Sequence, residues 1–333
     1  MRKNTQVKLA ACPEGIPEPQ NFLVADAEMP VASPGQVLVQ TLYLSLDPYM
    51  RSQIAGRHVS AAISVGELMR GETIGRVVES QCADFAAGDI VRCMGGWQNY
   101  SVHSPAQLNP VAESKVDPAC FLSALGMPGL TAYAGLILQA QPKEGDTVVI
   151  PAAVGGVGSM AGQLAKIHGC RVIGIVGSEE KRRYALEELG YDHCINRKTE
   201  DISERLKKLC PQGIDIYFDL VGGSLLNLVS AQLAVGARVI LCGLMEDYNS
   251  PQRQPGPPPA LWIVARARIH GLVVYDFEPR RPEFIERCLP YVQSGQIQFR
   301  HDIGEGLASA PESFCRLMRG ENCGKTLVRC AHG

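Results

Sequence analysis

The pattern of apolar and polar positions divides the chain into two parts. Residues 1–120 carry short apolar or alternating runs separated by glycine and proline, which is typical of a β barrel or sandwich. The predicted strands are Val37–Leu46, Thr73–Glu79, a run from Ile90 to Gly95, and Trp97–Val102. Asp47 before Pro48 favours a turn, so Tyr49 is expected at the edge of this β-rich part.

From Pro118 onward, strand patterns alternate with helical patterns. The predicted strands are Thr147–Pro151, Arg171–Val176, Ile214–Asp219, Ala237–Cys242 and Ile269–Tyr275. The predicted helices are Gly126–Leu138, Ser159–His168, Ser178–Leu189, Asp201–Leu209, Gly222–Ala234 and Pro282–Ser294. This alternation implies a doubly wound parallel sheet with helices on both faces. The tail from Gln296 to Arg329 predicts strand, helix and strand, and we expect it to pack back on the N-terminal part.

A glycine turn lies between the first strand and the first helix of the predicted sheet. The turn is Gly155-Gly156-Val157-Gly158, and Ala153 stands where a dinucleotide-binding motif often has its first glycine. Gly155 permits a tight turn, and Gly158 has no Cβ to keep helix and strand apart. Free N–H groups and the positive dipole end at the helix start suit a pyrophosphate. The strand–turn–helix context therefore predicts a dinucleotide site.

The segment Asn249–Pro259 contains five prolines and cannot form a helix or a central strand. We interpret it as an extended loop beside the C-terminal edge of the sheet, expected to fold over a substrate. A flexible spacer is the alternative.

The composition limits the classes of molecule that the protein is expected to bind. The 333 residues carry a net charge of −2 and are 46% hydrophobic, which gives no electrostatic bias toward nucleic acid or membranes. No apolar run approaches the ~20 residues of a membrane span, and the apolar patch near the N-terminus is too short for a secretory signal. A cytoplasmic location is expected. The twelve cysteines form no C-x-x-C pair and are interpreted as scattered, reduced core residues.

Motifs spread along essentially the whole chain resemble those of one family. They are YLSLDPYMR (Tyr43–Arg51), LGMPGLTAY (Leu125–Tyr133), AAVGGVGS (Ala152–Ser159), GSEEK (Gly177–Lys181), FDLVGG (Phe218–Gly223), LCG with a following YN (Leu241–Asn249), PGPPP (Pro255–Pro259) and GENCGKTLV (Gly320–Val328). In these motifs the chain resembles the medium-chain dehydrogenase/reductase superfamily, and within it the zinc-free, NADPH-dependent enone reductases.

The resemblance implies an α/β fold with two domains. A Rossmann domain that binds NADPH is expected over residues 122–290. A β-rich, GroES-like barrel domain that contributes to catalysis is expected over 1–121 and 291–333. The implied substrate is an α,β-unsaturated ketone or aldehyde.

The resemblance also implies a set of cofactor contacts. These are Gly155, Gly156, Val157, Gly158, Met127, Thr131, Lys181, Cys242, Gly243, Tyr248, Leu272, Val273, Val274 and Asn322. Two positions depart from the family pattern. Arg197 stands where relatives often carry tyrosine, and its charge can still meet a phosphate. Leu220 replaces the asparagine of an FDNVGG motif, which removes one polar contact.

No metal is expected. Zinc-dependent members of the superfamily carry Gly-His-Glu before a similar β segment, and this chain has Arg70-Gly71-Glu72 there. The isolated His58 and His103 are better explained as surface or packing residues, since ligand histidines need partners.

Reduction of an enone needs a donor that holds the carbonyl oxygen while enolate charge develops. A tyrosine hydroxyl is neutral at working pH and suits this role. Tyr49 and Tyr248 are the candidates. Tyr248 is favoured, because it lies just past the strand Ala237–Cys242, where ligands bind in open α/β sheets.

The residues after the second strand favour NADPH over NADH. Glu179 and Glu180 are interpreted as first-turn acids of a helix capped by Ser178 rather than as ligands of a ribose hydroxyl. Lys181 and Arg197 can then offer positive charge to a 2′-phosphate.

Two other functions stay open. One is a quinone reductase with the same fold and cofactor, and the other is a nucleotide-binding protein without catalysis. A homodimer is also expected, since Ile269–Tyr275 would be an exposed sheet edge in a monomer. The family resemblance implies that this strand pairs with its copy across a two-fold axis.

Overall fold

The computed structural model describes residues 3–111, 115–250, 252 and 254–331. The chain divides into two compact units. The β-rich unit comprises residues 1–122 and 301–333, and the parallel-sheet unit comprises residues 123–300. The second predicted boundary, at residue 290, therefore falls too early. The helix there continues to Gln293, and the side chain of Gln163 then bonds the backbone of Gln298 through both its amide nitrogen and its oxygen.

The element bounds are as follows. The strands are β1 (Asn4–Leu9), β2 (Phe22–Ala27), β3 (Val37–Ser45), β4 (Thr73–Ser80), β5 (Ile90–Cys93), β6 (Tyr100–His103), β7 (Asn109–Pro110), β8 (Thr147–Pro151), β9 (Arg171–Val176), β10 (His193–Asn196), β11 (Ile214–Asp219), β12 (Leu233–Leu241), β13 (Arg268–Gly271), β14 (His301–Glu305) and β15 (Lys325–Arg329). The helices are α1 (Tyr49–Ile54), α2 (Met127–Tyr133), α3 (Gly156–Ile167), α4 (Glu179–Glu187), α5 (Ile202–Leu209), α6 (Gly223–Ser230), α7 (Met245–Tyr248), α8 (Pro259–Ala265), α9 (Arg281–Gln293) and α10 (Ala310–Met318).

The parallel sheet has the strand order β10-β9-β8-β11-β12-β13. Its strands pair in parallel, and the order reverses between β8 and β11, as in a doubly wound nucleotide-binding fold. Apolar side chains of neighbouring strands form one core cluster, to which Val149, Ile173, Ile195, Tyr217 and Val239 belong. Burial of both sheet faces explains why these strands are nearly continuous apolar runs. The predicted fold class is confirmed for this unit.

The β-rich unit contains a mixed sheet in the order β14-β15-β3-β4-β5-β7, with β6 also paired to β3. The C-terminal strand β15 pairs antiparallel with β3, as expected for the tail. β1 and β2 form a separate antiparallel pair. The rings of Phe22, Trp97 and Phe314 pack at centroid distances of 5.6 to 5.9 Å, so residues far apart in the chain share one aromatic core.

Several predicted elements differ from the observed ones. Trp97 precedes β6 instead of opening it, because its ring is buried among Phe22 and Phe314. The helix expected over Gly126–Leu138 is α2 followed by a π-helical segment, Ala134–Ala140. The last strand of the parallel sheet ends at Gly271, since a 3-10 turn begins at Val274.

The segment predicted as a proline-rich loop begins after α7 and ends where Pro259 opens α8. Proline fits this first helical turn, because its missing N–H has no intrahelical partner there. The Pro255 carbonyl accepts a hydrogen bond from Asn227 Nδ2 at 3.0 Å. Pro251 and Arg253 of this segment lie outside the described residues.

No helix in the described part of the chain has both the length and the apolarity needed to cross a membrane.

Candidate active site

The glycine turn joins β8 to α3 at the carboxyl edge of the parallel sheet. Gly155 is the N-cap of α3, with extended backbone angles, and its N–H donates to the Ala152 carbonyl at 2.9 Å. The helix starts at Gly156, earlier than predicted, so Gly156 and Gly158 belong to its first turn. No acidic residue lies in that first turn. The first N–H groups of a helix have no intrahelical acceptor, so this edge can receive an anion.

Two residues of the turn have special backbone requirements. Ala152 adopts φ 48°, a left-handed conformation that costs a residue with a Cβ roughly 1–2 kcal/mol. A Cβ added to Gly158 would lie 2.4 Å from the Ala152 carbonyl oxygen, a distance that real contacts do not show. A Cβ added to Gly155 would meet the same oxygen at 3.3 Å. The close approach of helix and strand therefore depends mainly on Gly158.

Helix α4 begins directly after β9. The Ser178 hydroxyl accepts a hydrogen bond from the backbone N–H of the third helical residue at 3.3 Å. The Glu179 carboxylate accepts from Arg182 Nε at 3.0 Å, and Glu180 lies 3.8 Å from an Arg300 nitrogen. The interpretation of both acids as first-turn residues of a capped helix is thus confirmed. Their charge suits the positive end of the helix dipole.

Cationic side chains gather where β9 and β10 end. The Arg197 N–H donates to the Val176 carbonyl at 2.9 Å, which carries Arg197 to the end of the neighbouring strand. A Cβ added to Gly177 would lie 3.5 Å from Arg197 Nε and 3.9 Å from Lys198 Cε. Lys181 lies in the first turn of the following helix. These positions can supply charge-assisted hydrogen bonds to a phosphate monoester.

Cys242, Gly243 and Leu272 lie at the carboxyl ends of β12 and β13. The N–H groups of Cys242 and Gly243 donate to the Asp219 carbonyl at 2.9 and 3.2 Å, and that of Leu272 donates to Leu241 at 3.0 Å. Carboxyl ends of parallel strands share one edge of a sheet, so these residues lie on the same edge as the glycine turn.

Tyr248 is the last residue of the short helix α7, on the loop that leaves β12. Its N–H donates to the Leu244 carbonyl at 3.1 Å. The Glu246 carboxylate accepts from the Ser224 N–H and hydroxyl at 3.1 and 2.9 Å, which ties α7 to the start of α6. Desolvation by burial raises the pKa of Tyr248 above its usual value. The phenol therefore remains protonated at neutral pH and can donate.

The remaining candidates of the parallel-sheet unit lie on α2 and after β13. The Thr131 hydroxyl donates to the Met127 carbonyl at 2.7 Å within α2, which packs against α3. Val273 is partly exposed and precedes the 3-10 turn that starts at Val274. Leu220, which replaces a polar residue of the family motif, is buried.

Tyr49 and Asn322 belong to the β-rich unit. Tyr49 opens helix α1 where a turn was expected, and its ring stacks on His58 at a centroid distance of 5.0 Å. The ring nitrogen Nδ1 of His58 lies 2.7 Å from the Ser60 hydroxyl. Asn322 Nδ2 donates to the Gly324 carbonyl at 2.8 Å in the loop before β15. The two candidate donors, Tyr49 and Tyr248, thus lie in different units.

Buried charges anchor helix α1. Lys325 Nζ donates to Asp47 Oδ1 at 2.7 Å and to the Leu46 carbonyl at 2.5 Å, and both charged side chains are at least 93% buried. The guanidinium of Arg51 donates to the Pro13 carbonyl at 2.9 Å. The chain on either side of Tyr49 is therefore fixed by contacts of Asp47 and Arg51 with distant segments, in which the buried charges take part.

No metal centre is formed by the residues that the structure describes, since no three His, Cys, Asp or Glu side chains come together to hold an ion. Glu72, at the position aligned with the Gly-His-Glu of zinc-dependent members, pairs with Arg92. His103 is buried, with Nε2 2.8 Å from the Ser101 hydroxyl. The first contact is a salt bridge and the second a hydrogen bond within the β-rich unit.

The cysteines are free thiols, and most are buried. Burial raises the pKa of Cys93, Cys170, Cys210 and Cys315 to about 11. Burial raises the pKa of Cys120, Cys194, Cys242, Cys288 and Cys330 to about 12. These thiols stay protonated at neutral pH.

Asp219 is a residue of this edge that the sequence did not single out. It ends β11, next to the point where the strand order reverses, and is fully buried. Its Oδ1 accepts from the N–H groups of Val221 and Gly222 at 3.0 and 2.9 Å and from the Tyr217 hydroxyl at 3.0 Å. Desolvation raises its pKa. The sequence did show an aspartate at the end of an apolar strand. A buried carboxylate at such a position needs hydrogen-bond donors from the protein.

Tyr191 is the second residue that sequence reasoning missed. Its hydroxyl contacts the glycine turn from inside the unit. The available signal was Gly162 and Gly174, which stand inside a helix and a strand where no turn requires glycine. Glycine at such positions indicates the close approach of another group.

Comparison with known proteins places this geometry in a family. A family model described as the N-terminal domain of oxidoreductase matches residues 5–111, and one described as zinc-binding dehydrogenase matches residues 156–289. The NADPH-dependent curcumin reductase of Escherichia coli K12 is 40% identical over 99% of this chain and 98% of its own length. The NADP(+)-dependent 2-alkenal reductase of Nicotiana tabacum is 36% identical over 98% of this chain and 97% of its own.

A solved structure shows the same fold with a nucleotide bound. CurA from Vibrio vulnificus in complex with NADPH matches with a TM-score of 0.94 and 38% identity, over 99% of this chain and 100% of that chain. Identity of this level over the full length, together with the two family models, leaves no other fold family to consider. The chain belongs to the medium-chain dehydrogenase/reductase superfamily, in its group of curcumin and alkenal reductases.

Proposed function

We propose that this protein uses NADPH to reduce the C=C bond of α,β-unsaturated ketones and aldehydes, with Tyr248 holding the carbonyl oxygen of the substrate. The observation that carries the proposal is a desolvated, protonated tyrosine on the loop that leaves the sheet edge bearing the glycine turn. Relatives named as NADPH-dependent curcumin reductase and NADP(+)-dependent 2-alkenal reductase support the same chemistry.

The edge of the parallel sheet fits NADPH. The N–H groups of Gly156, Val157 and Gly158 at the start of α3 would hold the pyrophosphate, with Gly155 shaping the turn beside it, and the first turn of α3 offers no acid to repel it. Arg197 and Lys181 would pair with the 2′-phosphate. Met127 and Thr131, with Cys242, Gly243 and Leu272–Val274, would complete the contacts made by this unit. When bound, the cofactor supplies the hydride.

The protein's own part in the chemistry is to stabilise the charge that develops on the substrate. As hydride reaches the β-carbon, negative charge develops on the carbonyl oxygen of the substrate. A proton must then reach the α-carbon to convert this enolate into the saturated product. A hydrogen bond from the Tyr248 hydroxyl to that oxygen would strengthen in the transition state and lower the barrier. No metal is needed for this step, because conjugation already makes the β-carbon electrophilic. In an alternative role, the same hydroxyl would hold the nicotinamide ribose.

Replacement of the two tyrosines distinguishes these roles. Tyr248→Phe keeps the ring, and we expect it to lower turnover about 10²–10⁴-fold if the hydroxyl stabilises the enolate. If the hydroxyl orders the cofactor, NADPH affinity should fall instead, with a smaller loss of turnover. Tyr49→Phe is the matched control from the β-rich unit. Full turnover and affinity in Tyr248→Phe, with loss in Tyr49→Phe, would transfer the donor role to Tyr49.

The substrate class is tested by purified turnover on a panel of alkenals, cyclic enones and quinones with NADPH. Preference for alkenals and enones supports the proposal. Preference for quinones supports a quinone reductase, and binding of NADPH without turnover on any substrate supports a nucleotide-binding protein without catalysis.

We also propose a homodimer that forms at the β13 edge. In the described part of the sheet, β13 pairs only with β12, so its other side offers backbone groups for a further strand. Nearby on α8, which packs against β12, Ile263 and Val264 are 74% and 75% exposed. A two-fold pairing of β13 with its copy would cover both features. A single 36 kDa species in sedimentation at micromolar concentration would contradict this.

A further inference from the structure

Tyr191 connects the two ends of the glycine turn. It follows α4, is 3% exposed, and places its hydroxyl 2.8 Å from the Gly158 carbonyl oxygen and 3.2 Å from the Ala153 carbonyl oxygen. Ala153 lies just before the turn, and Gly158 lies in the first turn of α3. Burial raises the pKa of Tyr191 well above its usual value, so its hydroxyl remains a donor. One phenol therefore contacts two carbonyls, those of Ala153 and Gly158, which flank the four residues of the turn region between them.

The surrounding chain leaves space for this ring. A Cβ added to Gly162 of α3 would lie 2.3 Å from Tyr191 Cζ and from its hydroxyl oxygen. A Cβ added to Gly174 of β9 would lie 3.1 Å from the Tyr191 ring and 2.9 Å from Ala153 Cβ. Glycines on two different elements thus leave room for the same side chain. The ring fills the space between helix and strand behind the turn.

The backbone around Tyr191 is fixed. Its N–H donates to the Ala185 carbonyl of α4 at 3.1 Å, and the Asp192 N–H donates to the Val172 carbonyl of β9 at 3.0 Å. The Asp192 carboxylate accepts from the Val172 N–H at 2.6 Å and from Lys166 Nζ of α3 at 2.8 Å. Hydrogen bonds to α4, β9 and α3 therefore fix the backbone that positions the Tyr191 hydroxyl.

We propose that Tyr191 is a positioning residue that sets the width of the glycine turn for the pyrophosphate. The inference rests on the proposed binding of NADPH at this turn. Ala152, directly before Ala153 on the strand side of the turn, has a left-handed conformation that is unfavourable in isolation and must be held by its surroundings. Because both flanking carbonyls lie within hydrogen-bond distance of one hydroxyl, which shares its proton between them, the backbone between them is ordered before the anion arrives. Binding of the pyrophosphate then costs less conformational entropy.

The test compares ligands that contain a pyrophosphate with one that does not. Tyr191→Phe removes the hydroxyl and keeps the ring, so the space between Gly162 and Gly174 stays filled. Calorimetric titration of the full chain with NADPH and with 2′-phospho-ADP-ribose should show affinity about tenfold weaker than wild type. Titration with 2′-AMP, which has the 2′-phosphate but no pyrophosphate, should be unchanged. Turnover at saturating NADPH should stay within about twofold of wild type.

Tyr184→Phe is the control, because it removes another buried tyrosine hydroxyl of the same unit, on α4, where Arg300 stacks on the ring at 4.2 Å. It should leave the affinities of all three ligands unchanged. Unchanged NADPH affinity in Tyr191→Phe would overturn the inference, as would equal weakening of 2′-AMP, which would indicate general loosening of the unit. Absence of NADPH binding in the wild-type protein would instead remove the proposed function and the inference with it.

Discussion

The glycine turn of the parallel-sheet unit and helix α1 of the β-rich unit are held in place by different interactions. The turn depends on backbone geometry, with a carbonyl too close to Gly158 for any Cβ and neutral hydrogen bonds from Tyr191. Helix α1 depends on buried charge, with Lys325 on Asp47 and the Arg51 guanidinium on backbone carbonyls. Each segment carries residues proposed for the active site.

The difference shows how each segment can fail. A backbone site fails when a side chain is added, because the atoms already touch. A site anchored by buried ions fails when one partner is removed, because the other charge is left in a medium that solvates it poorly. Substitutions in the two segments should therefore affect different quantities, namely ligand affinity for the turn and folding stability for α1.

The largest effect is expected for Lys325→Met. It leaves Asp47 buried without its cation, and removal of one partner of a buried pair costs about 3–5 kcal/mol. Urea unfolding, monitored at two probes, should show this loss in the free energy of unfolding. The double variant Asp47→Asn with Lys325→Met removes both charges and should recover a large part of it. A double variant no more stable than Lys325→Met would show that charge is not what anchors α1.

Gly158→Ala should act on affinity. The added Cβ would lie 2.4 Å from the Ala152 oxygen, and overpacking of about 1–3 kcal/mol, taken up in the binding step, corresponds to roughly 5–150-fold weaker NADPH binding. Gly155→Ala is the matched control, because its Cβ would meet the same atom at 3.3 Å and its φ of −72° suits alanine. Equal effects of both variants in fluorescence titration would contradict the assignment of the close approach to Gly158.

Acid should weaken the β-rich unit through His301 of β14. Desolvation lowers the pKa of His301 from 6.5 to about 4, with Asp117 opposing and Lys325 reinforcing the shift. The unfolded chain takes up this proton first, so the stability contribution is complete above pH 6.5 and falls as the pH drops toward 4. The slope is about 1.4 kcal/mol per pH unit. His301→Gln should flatten stability against pH in this window, and an unchanged slope would exclude His301 as the cause.

The smallest effect concerns the preference between cofactors. Lys181→Ala should raise the Michaelis constant for NADPH several-fold and leave that for NADH nearly unchanged, because only NADPH carries the 2′-phosphate. Arg197→Ala should act in the same direction, since its guanidinium lies beside Gly177. Equal changes for NADPH and NADH would show that these side chains serve the fold and not the phosphate.

The parallel-sheet unit was largely predictable, because its signals are local. The bounds of β8, β9 and β11 match the predicted runs, since a strand buried on both faces is apolar along its whole length. The early start of α3 was missed because glycine is a poor helix former, and here the turn requires it within the helix. Strand β13 was predicted too long, because Leu272–Tyr275 is apolar but turns into a 3-10 segment.

The site was predictable only where a residue's role depends on its close neighbours in the sequence. The glycine turn and the capping role of Ser178 depend on neighbours within a few residues. The contact of Lys325 with Asp47 joins positions 278 residues apart, and no local pattern encodes it. Tyr191 resembles any core tyrosine in the sequence, although the two glycines beneath its ring were visible. Long-range polar contacts of this kind were what sequence reasoning left out.

The burial of the cysteines has a consequence for chemical durability. Enones and alkenals alkylate thiolates by conjugate addition, and the thiolate rather than the thiol is the nucleophile. A thiol with a pKa of about 11 or 12, such as Cys93 or Cys288, is almost wholly protonated at neutral pH and shielded by packing. With the enones and alkenals proposed as substrates, burial thereby keeps most thiols of the protein out of reach of these electrophiles. Slow inactivation during turnover would then begin at an exposed thiol, and Cys12 is one.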